Sequence, residues 1–137
     1  MRKTLTLIGI FLVLVSCSNQ NDEPNINYEL VPVQNVTLPD TIALGEENNL
    51  VVEYLKPSTC HGFNGFLYEK EGLTRTVAVQ NYVYNNNTCQ PLTTEVVQKV
   101  LKIQPTTVGD YTFKFWQGKD AAGNDIFLEF NRPSKIY

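Results

Sequence analysis

The 137-residue chain contains one histidine, His61, and three cysteines, Cys17, Cys60 and Cys89. A Ser-His-Asp relay would have to be built on His61, because the imidazole takes the serine proton in that chemistry. No Gly-x-Ser-x-Gly stretch is present to expose such a serine on a sharp turn. Phosphate-loop and dinucleotide fingerprints are missing as well. His61 follows Cys60 directly, which suggests thiol chemistry only if that sulfur is free. Asp120, Asn124 and Asp125 in the segment DAAGND offer oxygen ligands of the kind calcium takes, but they lack the regular acid spacing and closing Glu of an EF-hand loop. A turn with Gly123 in the left-handed position accounts for the same residues. The expectation is a chain with no catalytic centre, no metal site and no cofactor.

Aromatic residues form the other chemically informative group. In a strand running through Tyr111–Gln117, Tyr111, Phe113 and Phe115 share one face and Thr112, Lys114 and Trp116 the other. The first face reads as core. Trp116 then lies outside, where with Tyr82 and Tyr84 it would form an aromatic platform for sugar or peptide.

From Tyr28 onward the segments are short, alternating and rich in Val, Ile, Thr, Tyr and Phe, with Gly, Pro or Asn between them. Strands are expected at 28–38, 49–56, 63–69, 73–84, 95–104, 109–117 and 125–131, with a tight Lys70-Glu71-Gly72 turn after the third. Val96–Ile103 could also be a short helix, but Pro91 and Pro105 bracket it and its residues are mostly β-branched. Seven strands at this spacing predict an all-β antiparallel sandwich over 28–137.

The N-terminus reads differently. Arg2 and Lys3 precede Thr4–Val15, an uncharged, mostly apolar run too short to span a bilayer but of signal-peptide length. Leu14-Val15-Ser16-Cys17 then resembles the lipobox of bacterial lipoproteins. The resemblance implies a signal peptide over 1–16, lipid on Cys17 and cleavage just before it. Residues 17–27 are polar and Asn-rich and read as a tether. Ser18, where an Asp would signal inner-membrane retention, implies the outer membrane, and Asp22-Glu23 resembles the acidic cluster of surface-exported bacteroidete lipoproteins. Asp40-Thr41-Ile42 resembles the O-glycosylation acceptor of that bacterial group, with Thr41 the residue modified. Loss of Arg2 and Lys3 leaves nine basic residues against 14 acidic ones, moving the net charge from −3 to −5. Such a domain is a poor nucleic-acid partner and would be held to the membrane by acyl chains rather than by charge. With Cys17 lipidated, Cys60 and Cys89 remain, and in an oxidising compartment they are expected to form a disulfide.

Thr107-Val-Gly109-Asp-Tyr111-Thr-Phe113 resembles the tyrosine corner of immunoglobulin-like domains, although Thr107 stands where that pattern has Asp and Phe113 where it often has Cys. The resemblance implies an Ig-like sandwich, and the short 70–72 connection implies the three-plus-four strand arrangement of fibronectin type III domains. Such a sandwich would gather His61, Asn86 with its neighbours Asn85 and Asn87, and Lys119, Asp120, Asn124 and Asp125 at one loop end, opposite the entry of the first strand. The functional expectation is a non-catalytic binding or adhesion module meeting a glycan or envelope protein. The alternative is an accessory subunit docking by a sheet edge.

Overall fold

The computed structural model describes residues 25–137 apart from Asn87. The leader, Cys17 and the tether up to residue 24 lie outside the described residues. The described chain is all strand and loop, in the order β1 (Ile26–Val31), β2 (Val33–Thr37), β3 (Ile42–Ala43), β4 (Asn48–Leu55), β5 (His61–Glu71), β6 (Thr74–Tyr84), β7 (Val96–Ile103), β8 (Tyr111–Lys119), β9 (Asp125–Arg132) and β10 (Ser134–Lys135). The ambiguous segment 96–103 is a strand, as its β-branched residues favour.

Two sheets enclose one core. The smaller has the order β2-β4-β7; the larger contains β1, β5, β6, β8 and β9. Strand β4 supplies Leu50, Val52 and Tyr54 from one side, while β6 and β8 supply Val77, Val79, Tyr111, Phe113 and Phe115 from the other, all essentially inaccessible to solvent. The period of two that put Tyr111, Phe113 and Phe115 on one face is thus the period that builds the core. Burying side chains of this size contributes roughly 1.5–3 kcal/mol each.

The fibronectin-like arrangement expected above is not formed. The strand beside β8 is β6, not β5, and the two run parallel, with Thr74 opposite Thr112 and Val77 opposite Phe115. The sandwich is therefore mixed rather than purely antiparallel. The reason lies in composition. β6 carries Val77, Ala78 and Val79, buried on both faces, as a central strand requires. β5 carries Glu69, Lys70 and Glu71 and a bulge between Phe63 and Gly65, all features that suit a protected edge. The hairpin joining them turns on Gly72-Leu73, with Gly72 at φ +57°, one step later than the 70–72 turn expected.

The first expected strand splits at Pro32, which lacks the N–H needed to continue a ladder. Its first half, β1, pairs with β6 and its second, β2, with β4. Strand β1 starts at Ile26, opposite Tyr84, so Ile26 and Asn27 belong to the sheet and not to the tether. On the same edge of β6, β8 covers residues 74–77 and β1 covers 79–84, and the two strands meet end to end beside Ala78.

Two devices close the ends. Cys60 and Cys89 form a disulfide with Cα atoms 5.4 Å apart; a loop of this length stabilises the fold by about 3.6 kcal/mol in the chain-entropy account. At the other end the Tyr111 hydroxyl donates to the Thr107 carbonyl at 2.6 Å, pinning the crossover into β8. Next to it Gly109, at φ +149°, both donates its N–H to Ser134 Oγ and accepts from that hydroxyl. Ser134 begins the short parallel pair β10–β3, two residues on each side and too brief to leave a pattern in sequence.

Candidate functional site

The junction of β1 and β8 leaves a groove of about 340 Å³ on the outer face of the larger sheet. Its floor and walls are Leu30, Leu67, Ala78, Trp116 and Phe127, and its rim carries Glu69, Thr76, Lys119 and Asp125. Trp116 and Phe127 are cross-strand partners on β8 and β9. Beyond them β8 bulges: three steps take it from Trp116 to Lys119 while β9 takes two from Phe127 to Asp125. The extra residue reverses the side-chain alternation, bringing Lys119 to the face that Trp116 occupies. Asp125 Oδ1 then accepts from the Trp116 indole N–H at 2.9 Å and from Lys119 Nζ at 2.8 Å. These two bonds, Lys119 first, hold the Asp125 carboxyl below the usual aspartate range. The indole is thereby fixed in orientation beside the open groove.

The expected three-residue platform divides into two patches. Tyr82 and Tyr84 share the outer face with Trp116, but they do not line the groove. Their rings meet edge to face at 5.2 Å, and Tyr28 of β1 stands opposite Tyr82. Ala78, on the groove floor, and Tyr82 are four residues apart along β6, roughly 13 Å at 3.3 Å per residue. Strand order separates them, because β1 rather than β8 flanks the tyrosine end of β6.

Of the expected loop cluster, the first two loops meet: the disulfide joins them, and Cys60 Sγ lies 3.6 Å from Asn86 Oδ1. His61 is the first residue of β5, with a side chain only 10 % exposed. Its Nδ1 is hydrogen-bonded to the Ser58 hydroxyl at 2.6 Å and its Nε2 to the Glu29 carboxylate. Hydroxyl, imidazole and carboxylate stand in line, as in a hydrolytic relay. The backbone donors around Ser58 are nevertheless engaged: Thr59 N–H to the Gln90 carbonyl, Cys60 N–H to Ser58 Oγ and His61 N–H to the Ser58 carbonyl. None of these donors is left to stabilise an oxyanion. Asn86 Oδ1 accepts from the Thr88 backbone and hydroxyl, each at 2.8 Å, and so shapes the turn that carries Cys89. Asp120 Oδ1 accepts from the backbone of Ala122 and Asn124, closing the β8–β9 turn on itself. Asn124 contributes backbone to that turn. Among the described residues no hydrogen bond or ion pair joins this turn to His61 or Asn86.

The end assignment also changes. The expected binding loops lay opposite the entry of the first strand, but β1 enters among them: the Asn25 carbonyl accepts from Asn85 N–H at 3.0 Å, and Ile26 pairs with Tyr84. Thr41 lies half-buried in the bend leading into β3, with Ile42 after it fully buried.

Leu30, Leu67, Glu69 and Phe127 were not anticipated as site residues. Alternation places each on its strand's outer face, but only the parallel β6–β8 pairing brings those faces together. Arg75 was also missed. It shares the inward parity of Val77 and Val79, so a charge at a core position was the available signal. No protein-family model, curated protein or solved structure matches the chain.

Proposed function

We propose that this chain is a lipid-anchored envelope module that binds a saccharide, without transforming it, in the groove beside Trp116. The observation that carries this reading is the Trp116 indole, held by Asp125 and flanked by Phe127 over the small floor residue Ala78. Aromatic rings take the C–H faces of a sugar ring, while Glu69, Asp125 and Lys119 offer acceptors and a donor to its hydroxyls. The floor is apolar and the rim polar, so a neutral sugar with one hydrophobic face suits it better than a wholly apolar ligand.

The anchor is proposed from Leu14–Cys17, and an outer-membrane location from Ser18, facing either the periplasm or the cell exterior. Modification of Thr41 is proposed from Asp40-Thr41-Ile42. Kinship with immunoglobulin-like domains is supported by the corner at Tyr111 and by the β2-β4-β7 order; the parallel β6–β8 pair marks a departure from that family's strand order.

A glycan array with the full chain in detergent tests the groove. Its strongest hit should lose about tenfold in affinity, or 1.4 kcal/mol, in Trp116→Ala, with the melting temperature unchanged. An array without hits, or a hit indifferent to Trp116→Ala, would refute saccharide binding here. Cys17→Ala tests the anchor separately: it should release the protein into the soluble fraction or leave it unprocessed.

One observation favours the accessory-subunit reading. Among the described residues strand β7 is an edge of the smaller sheet, and it exposes Val96 and Val100 by half or more. Cross-linking from intact membranes that captures a partner at β7 would support docking by that edge.

A further inference from the structure

Arg75 is 7 % exposed and has no carboxylate partner among the described residues. Removing a guanidinium from water is costly unless an opposite charge or a full set of hydrogen bonds replaces the lost hydration. Nη1 donates to the carbonyls of Gly72 and Thr74 at 2.7 and 3.1 Å, and the Tyr111 ring lies 5.0 Å from Cζ. Nε is buried with no hydrogen-bond partner. The compensation is therefore incomplete, in a protein that carries more acidic than basic residues and could have supplied a carboxylate.

Arg75 lines a cavity of about 230 Å³ between the β5–β6 turn and the end of β7, together with Tyr68, Lys70, Lys102 and Gln104. Lys70 has no carboxylate partner among the described residues either; its Nζ sits over the Tyr68 ring at 5.7 Å. Lys102 is paired with exposed Glu47 at 3.0 Å. Burial raises the Tyr68 phenol, while the neighbouring Arg75 guanidinium pulls the other way by its charge and by hydrogen bonding. Two cations without a carboxylate partner among the described residues, a lysine paired with Glu47, a phenol and the Gln104 amide, which also donates to the Gly45 carbonyl, converge on one small space.

We propose that this cavity binds a small oxyanion, a phosphate or carboxylate group borne by a molecule of at most about monosaccharide size. Arg75 supplies the buried, pre-positioned charge, and Lys70 closes over the anion from the end of β5. Glu47 opposes binding by competing for Lys102. The site is separate from the Trp116 groove and shares none of its lining residues.

Titration of the full chain in detergent with sodium phosphate and with sodium glucuronate, at ionic strength matched with chloride, tests this. Saturable binding of at least one is expected, and which one binds identifies the ligand's acidic group. Lys70→Ala should weaken it at least fivefold and Glu47→Gln should strengthen it severalfold. Both substitutions are at exposed positions, and their opposite directions are not what a folding defect produces. Trp116→Ala should leave it unchanged. Absence of saturable binding by both anions overturns the proposal, as does binding that neither Lys70→Ala nor Glu47→Gln moves.

Discussion

At the scale of single residues, two polar side chains do structural work that their neighbours alone would not suggest. The Tyr111 ring is wholly buried, and its hydroxyl ties the loop before β8 to the strand itself. Tyr111→Phe keeps the ring and removes the bond. It should cost about 0.5–1.5 kcal/mol, read as a lower denaturation midpoint with an unchanged denaturant slope. Asp125 offers a pH test. Its folded-state carboxyl sits below the unfolded value, so its bonds to Lys119 and Trp116 favour the fold above the unfolded value and are lost as pH falls through the folded one. The Trp116 indole N–H resonance should therefore shift in an acid titration with a midpoint below the ordinary aspartate value of about 3.9. A midpoint at or above that value would mean the indole is not held by a stabilised carboxylate.

Among the elements, β6 governs the architecture, since it is paired along both edges and buried on both faces around Ala78. Amide exchange should be slowest at Val77–Val79 and faster at the free edges of β5 and β7; equal protection across the three strands would contradict this ranking. Strand positions were legible in sequence because alternation is local: Tyr111, Phe113 and Phe115 declare an inward face without reference to any other strand. Strand order was not, because a short 5–6 connection is compatible with either member of the hairpin lying beside β8. The deciding cue was comparative. Charges at Glu69, Lys70 and Glu71 against uninterrupted Val77-Ala78-Val79 mark which member tolerates an edge. The candidate site inherits this split. Trp116 could be placed on an outer face from its parity, whereas Leu67 and Leu30 join it only through pairing. His61 was misplaced because its partners, Ser58 and Glu29, come from a loop and from a strand on the far side of β6.

For the molecule as a whole, the disulfide and the corner brace opposite ends of the sandwich. Cys60→Ser with Cys89→Ser should lower stability by about 3.6 kcal/mol if chain entropy dominates, within a usual range of about 2–5. Equilibrium unfolding with and without reductant would measure it, and an effect well under 1 kcal/mol would mean the loop 57–92 is already held by its backbone bonds, such as Leu92 N–H to the Pro57 carbonyl. The two proposed sites divide by face: Glu69 and Thr76 line the groove, while their neighbours Lys70 and Arg75 line the cavity. Asn25 lies beside Asn85 at the disulfide end, whereas the Arg75 cavity lies at the β5–β6 turn, at the far end of β6.

The end-to-end meeting of β1 and β8 on one edge of β6 has a mechanical side. If lipid holds Cys17 and a ligand holds the groove, tension enters at Ile26 and leaves near Trp116. It is directed along β1, away from the groove, so the six residue pairs from Ile26–Tyr84 to Val31–Val79 are loaded together in shear rather than peeled apart singly. A tether leaving from the opposite end of β1 would unzip the same ladder one bond at a time. Leu30 belongs to both the loaded strand and the groove wall, so slippage of β1 under load would dismantle the binding surface in the same event, and the ligand would be let go while the domain stayed on its lengthened tether.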